Sequence, residues 1–340
     1  MSWGAYLLRR LLLAVVVLAA VSVVTFIVAR VVPSDPAALY VGPRPRAEQI
    51  EAARRVLALD RPLPLQYLSY VSDVVTGDLG VSLRSKQPIS EDLRAFLPAT
   101  LELVVAATLL SLAVGIPLGV YAGAKRGGAF DHATRLLSIA GVSIPTFWLA
   151  LLLQLLFFRQ LHWLPLGGRL SNEVALAHPV DVVTGFYTID AAVTGNWTAW
   201  RDALRHLVLP AVTLASYPVG LVTRMTRSAM VDVLGERYVT AARASGIPES
   251  TIRFRLALRN AILPTLTVLG LSFAYSITGA FLVEIVFAWP GVGTYVTQGI
   301  LSVDFPVIIG VTLVVTVVYL VINLAVDLLH AALDPRVGLA

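Results

Sequence analysis

Residues 240–264 read TAARASGIPESTIRFRLALRNAILP, and they interrupt an otherwise apolar chain with Arg243, Arg253, Arg255 and Arg259. Gly246 suits the C-cap of one helix, where a left-handed backbone is wanted, and Pro248 suits the first turn of the next. Glu249 then favours the positive N-terminus of that second helix. The stretch predicts helix, tight turn, helix. It is too polar to insert in a bilayer and too well capped for a disordered linker. Small residues at Ala241, Ala242, Ala244, Ser245 and Gly246 leave room for another protein to approach. From these residues two roles stay open: a docking site, or an amphipathic helix resting on anionic headgroups with its arginines near phosphates.

The flanking runs decide the class. The chain has 340 residues, 57% hydrophobic and 14% charged, with a mean hydropathy of +0.79. A soluble domain carries about a quarter charged residues, so apolar runs beyond about 18 residues read here as membrane spans. Six are expected, at 8–31, 98–123, 134–158, 206–226, 262–287 and 305–329. Pro98 falls where a first-turn proline is tolerated, and Asp131 can cap the third span. Pro117, Pro145 and Pro218 lie inside three spans, where each removes a backbone hydrogen bond and permits a kink. The mildly apolar segment 174–194 carries His178, Asp181 and Asp190. An Asp at mid-bilayer costs about 2.5–3.5 kcal/mol, which keeps that segment outside. The run from Leu11 to Ala29 exceeds a signal h-region and no small-x-small site comes after it, so an uncleaved first span is expected.

Basic residues set the orientation. With the amino terminus inside, Arg9, Arg10, Lys125, Arg126, Arg135 and the arginines from Arg224 to Arg259 are cytoplasmic, whereas 288–304 carries neither Lys nor Arg. The resulting organisation is 1–31, the amino terminus and first span; 32–97, an external segment; 98–329, a five-span core; and 330–340, a cytoplasmic tail. The core holds an external loop at 159–205 and a cytoplasmic loop at 227–261. In the external segment, 46–60 has apolar positions at helical spacing, and 61–88 reads as irregular, Pro- and Gly-punctuated structure. That segment is either a partner-docking surface or a lid.

Several chemistries are excluded. Cysteine is absent, so there are no disulfides, thiolate metal sites or thiol nucleophiles. Lys86 and Lys125 are the only lysines and neither lies in a G-x-x-x-x-G-K-[ST] loop, so ATP hydrolysis by this chain is not expected. His132, His162, His178, His206 and His330 are scattered; no H-E-x-x-H and no G-x-S-x-G occurs. The net charge of +5 has no clustered basic face with aromatics, so nucleic acid is not an expected partner. No enzymatic centre and no bound metal are expected. Ionisable residues within spans are functional hypotheses by default. Glu102 and Glu284, near the outer ends of the second and fifth spans, either line a water-filled path or snorkel or pair close to the interface. Pro290 and Gly291 stand beyond Glu284 as outer-gate positions. The span centres hold no chain of acids for a proton relay.

Thr240-Ala241-Ala242, three residues, Gly246, a spacer and then Asn260-Ala261-Ile262-Leu263-Pro264 resemble the EAA loop of ABC importer permeases, with Thr240 where the motif has glutamate. RYVTAARASG (237–246) is similar to the dipeptide/oligopeptide/nickel branch. So are VVPSDPA (31–37), with Ser34 in place of glycine, and SIPTFWLALLLQLLFF (143–158). GAFLVEIVFAWPGVGTYV (279–296) and NLAVDLLHAALDPRV (323–337) resemble it too. The resemblance implies an all-α polytopic membrane protein with six transmembrane helices, the type I ABC importer transmembrane-domain fold, and a cytoplasmic coupling helix. Thr240, Ala241, Ala242, Ser245, Gly246, Ile247, Pro248 and Glu249 would then dock an ATPase. It further implies a second homologous permease, two ABC ATPase subunits carrying the ATP and Mg, an extracytoplasmic substrate-binding protein, and a bacterial inner membrane with both termini cytoplasmic. Dipeptides or oligopeptides are the implied cargo; nickel chelates, glutathione and other small solutes stay open. On the residues alone, a secondary transporter, a channel or a membrane-embedded hydrolase are the rivals.

Overall fold

A computed structural model describes residues 3–31, 36–41, 46–56 and 59–333. Ser34 and positions 334–340 of the expected tail lie outside the described residues. A bilayer offers backbone groups no water, so an apolar run must satisfy them within itself, and a helix does so. Among the described residues the chain is helical throughout, with no strand and a single isolated bridge between Val81 and Pro88. Five helices are long and apolar enough to cross a membrane, or six if one bent pair counts as a span.

The chain divides into two compact units, one built from Pro98–Thr294 with the chain from Ile322, the other from the chain before Pro98 with Tyr295–Val321. The second unit opens with α1 (Trp3–Val31), whose apolar side chains, Leu12, Val16 and Val24 among them, are exposed around the helix as lipid would require. It continues through α2 (Pro36–Val41), the amphipathic α3 (Ala47–Val56) and α4 (Leu63–Val75). Residues 61–88 were expected to be irregular; within them Leu63–Val75 fold as helix. Proline lies at its start, where no amide is needed, and its Tyr67 and Tyr70 rings pack on Phe26 of α1 at 5.4 and 5.8 Å. Beyond α4, Gly77 and Gly80 both take positive φ.

The next helix, α5 (Ile89–Ala124), begins before the expected span, so Pro98 sits inside it rather than in its first turn. The third span is two helices, α6 (Ala129–Ser143) and α7 (Thr146–Leu153), the latter continuing as π-helix over Gln154–Gln160, and they meet at 107°. Pro145 causes the break: Ile144 before it is extended, with ψ 125°, as pre-proline sterics demand. Pro117 lies within the unbroken α5. Asp131 does not cap α6, since Gly128 holds that position; its carboxylate accepts from the Gly127 amide and pairs with Arg227 instead.

Two short helices, α8 (Asn172–Ala177) and α9 (Tyr187–Val193), occupy the polar segment expected outside the bilayer. Then α10 (Trp197–Leu234) runs well past both ends of the expected fourth span and includes Pro218 without breaking. Asn196 caps it, accepting from the Ala199 amide at 3.1 Å. After α11 (Arg237–Ala244) comes α12 (Glu249–Thr251), which passes through π-helix at Ile252–Ala257 directly into α13 (Leu258–Val286). The last described helices are α14 (Val292–Leu301) and α15 (Phe305–Leu333). In the first unit the core lies among α5, α7, α10 and α13, around Leu103, Ala107, Leu214, Val283 and Trp289. Glycines set the closest crossings: a Cβ on Gly119 would lie 2.8 Å from the Thr223 carbonyl. Small residues where helix backbones touch are how apolar helices gain contact in a solvent as apolar as themselves.

Candidate functional site: an exposed hairpin and a buried polar node

The 237–257 hairpin is a locked turn. Ser245 ends α11, and Gly246 comes next at φ +74°. The Gly246 amide donates to the Arg243 carbonyl and the Ile247 amide to the Ala242 carbonyl, at 3.0 and 3.2 Å. These are the two bonds of a Schellman cap. Across the turn Glu249 accepts from Arg243 Nε at 2.7 Å, and Arg253 Nε lies 3.4 Å from its other oxygen. The Arg243 bond, foremost, and both nearby guanidinium charges hold the Glu249 carboxyl below its ordinary range. Beneath the turn Val239, Ala242 and Ile252 are buried together, with Leu234, Ile247 and Leu256 against them.

Of the positions expected to dock a partner, Thr240, Ala241, Ser245, Gly246, Pro248 and Glu249 are exposed and Ile247 is half-buried. Ala242 is turned inward and belongs to the hairpin's own core. Sequence reading treats the second helix as a separate surface helix; instead it is the polar first turns of α13, continuous with the span.

At the opposite end of α5 and α13, Glu102 and Glu284 face protein rather than an open path. Glu102 is 4% exposed. It pairs with Arg169 Nη2 at 2.5 Å and accepts from the Thr188 amide and hydroxyl at 2.8 and 2.6 Å. The Arg169 guanidinium also donates to the Gly185 carbonyl and stacks 3.6 Å over the Tyr187 ring. Glu284 is fully buried. It accepts from the Thr100 hydroxyl at 2.5 Å and from the Thr294 amide at 3.1 Å. Thr100 in turn accepts from the Val292 amide, and Trp289 Nε1 donates to the Ala99 carbonyl, both at 2.8 Å. Gln154 donates to the carbonyls of Leu166 and Val286. Gly291 is pressed against the Glu284 carboxylate and Pro290 is exposed.

Both acids are enclosed by protein, each accepting hydrogen bonds from residues of other segments. A buried carboxylate needs a charged partner or hydrogen bonds; Glu102 has both, and Glu284 is held by hydrogen bonds alone. Arg169, Thr188, Thr100, Trp289 and Gln154 were missed in the sequence. Their partners lie far along the chain, and nothing local marks them. Nearby, Asp190 accepts from the amides of Val183, Thr184 and Gly185 and from the Thr184 hydroxyl, which folds the preceding loop around one carboxylate. No group of three or more His, Asp or Glu suited to a metal occurs among the described residues.

Long apolar helices with a polar hairpin at one end define a polytopic α-helical membrane protein. The chain belongs to the family of binding-protein-dependent transport system inner membrane components, which matches residues 115–339, with that family's N-terminal region matching residues 4–104. It is 47% identical over 324 residues to the probable D,D-dipeptide transport system permease protein DdpB of Escherichia coli, covering 95% of this chain and 94% of that one. It is 39% identical to the dipeptide transport system permease protein DppB of Escherichia coli, covering 98% of each. The DppB of Alkalihalophilus pseudofirmus is 37% identical, over 98% of this chain and 99% of its own. Among solved structures, a chain of the MetNI methionine ABC transporter in an inward-facing conformation matches in fold. Its TM-score is 0.51 at 16% identity, over 69% of this chain and 93% of that one. The fold is that of type I importers, and the chain is a membrane-embedded ABC permease subunit.

Proposed function

We propose that this permease carries dipeptides or short oligopeptides inward. A binding protein delivers them, and two ATPase subunits bearing ATP and Mg dock at the 237–257 hairpin. End-to-end similarity to several dipeptide permeases, 39 to 47% identical over at least 95% of the chain, supports the cargo class. A second homologous permease completes the pathway, both termini lie in the cytoplasm, and the hairpin is the coupling element.

The hairpin suits a mechanical role. Its turn is fixed by the Schellman cap and the Arg243–Glu249 pair, and its underside is packed. Its second arm is the start of α13. Displacement of the exposed turn therefore moves α13 as a body and reaches the Glu284 node at its far end. ATP and the loaded binding protein drive exchange only through their different affinities for the two states. Reconstitution tests this reading: labelled dipeptide should enter vesicles only when binding protein, ATPases and ATP are all present. Uptake of a nickel chelate or glutathione in place of dipeptide would overturn the cargo, and flux through this chain alone without ATP would overturn the coupling.

A further inference from the structure

Between α6 and α10, at the hairpin end of the chain, lies a cavity of about 790 Å³ that the transport reading leaves unused. The helices touch at one level, where a Cβ on Gly141 or Gly220 would come within 2.6 Å of the Ser216 or Ser138 carbonyl. Below that crossing they part, and the Asp131–Arg227 pair bridges them. Arg126, Arg135 and Arg224 also line the space, and none of the three makes a hydrogen bond or ion pair among the described residues. Asp131 is the one acid on the described wall; Arg227 pairs with it and Arg135 acts on it at longer range, so four arginines against one carboxylate leave three positive charges in excess. Thr223, 1% exposed, is among the lining residues, and its buried hydroxyl has no hydrogen-bond partner. Burying such a group unpaired is unfavourable. The same wall turns apolar through Ile139 and Val142, continuous with exposed Leu136 on α6.

We propose that this cavity binds the phosphate of an anionic phospholipid from the leaflet at the hairpin end, with the acyl chains lying over Ile139 and Val142. Arginine grips phosphate oxygens in a planar fork, Thr223 supplies a hydroxyl, and basic pockets between membrane helices suit such headgroups. A soluble phosphate would satisfy the arginines equally but would leave the apolar wall uncovered. Peptide cargo carries an α-ammonium beside its carboxylate and so offers no net negative charge to the three arginines, whereas a phosphodiester carries one.

Native mass spectrometry of the full-length protein, released from nanodiscs of mixed phosphatidylglycerol and phosphatidylcholine, tests the assignment. Wild type should retain phosphatidylglycerol selectively. Retention should weaken by about fivefold per arginine removed, and so by about 25-fold in Arg135→Gln/Arg224→Gln. Arg135→Lys/Arg224→Lys should keep most of the binding, which guards against a misfolded variant. Arg259→Gln, exposed at the same end but outside the cavity, should change nothing. Undiminished retention in the double Gln variant would overturn the site. So would an equal loss in Arg259→Gln, which would mean general attraction to a basic face. Displacement of the lipid by millimolar inorganic phosphate would overturn the lipid as its occupant.

Discussion

Gly291 and Glu284 occupy adjoining space with no room for a methyl group between them. A Cβ built on Gly291 would overlap both carboxylate oxygens of Glu284, which already accepts from Thr100 and Thr294. Gly291 is therefore glycine because a buried carboxylate lies against it, and its φ has no part in the choice.

Gly291→Ala should displace Glu284 from its donors and destabilise the node by about 1–3 kcal/mol, the usual cost of overpacking. Gly4→Ala, which meets nothing within 4 Å, should be neutral. Thermal unfolding in detergent, monitored by intrinsic tryptophan fluorescence, reads the difference, and a wild-type melting temperature for Gly291→Ala would refute the packing argument.

Removing one partner of the Glu102–Arg169 pair leaves the other charge buried, which costs about 3–5 kcal/mol. Arg169→Met should thus be worse than Arg169→Met/Glu102→Gln, in which no charge remains. A double-mutant cycle on thermal stability checks this; strict additivity would show that the two groups do not interact. The cycle also marks where sequence reading stops. Each acid stood out as an ion in an apolar run, but Arg169 is 67 positions from Glu102, and no spacing rule joins them.

The Gly246 site has open space around it, so Gly246→Val is opposed by its left-handed backbone alone, at φ +74°. The penalty of about 1–2 kcal/mol should loosen the turn without unfolding the spans. Membrane insertion should be normal, while ATP-dependent uptake falls severalfold. Wild-type uptake would remove the hairpin from the coupling route.

Burial alone would raise the Asp190 carboxyl, yet the Thr184 hydroxyl and the amides of Thr184, Gly185 and Val183 outweigh it and hold it below its ordinary 3.8. A carboxyl whose folded pKa is depressed adds stability above its unfolded value and loses it as pH falls through the folded one. The 181–195 segment should accordingly keep its hydrogen-exchange protection from neutral pH down to about 4 and lose it below. Asp190→Asn should be deprotected, relative to wild type, at pH 7; equal protection at pH 7 in both would refute the role.

The sequence by itself determined the class, the number of apolar spans counting the bent pair as one, and the capped polar hairpin. Hydrophobic length, a C′ glycine and a first-turn proline act over a few residues, so they are legible without neighbours. Pro145 shows the limit of that legibility. Pro117, Pro145 and Pro218 carry the same local signal, yet only Pro145 breaks its span, by 107°. The other two stay within helices whose packing outweighs one lost backbone bond. Tertiary structure alone decided that Ala242 faces inward, that α12 runs on into α13, and that Glu102 and Glu284 are held by Arg169 and Thr100. A buried charge is stable only with a partner, and which residue arrives as that partner depends on where distant helices meet.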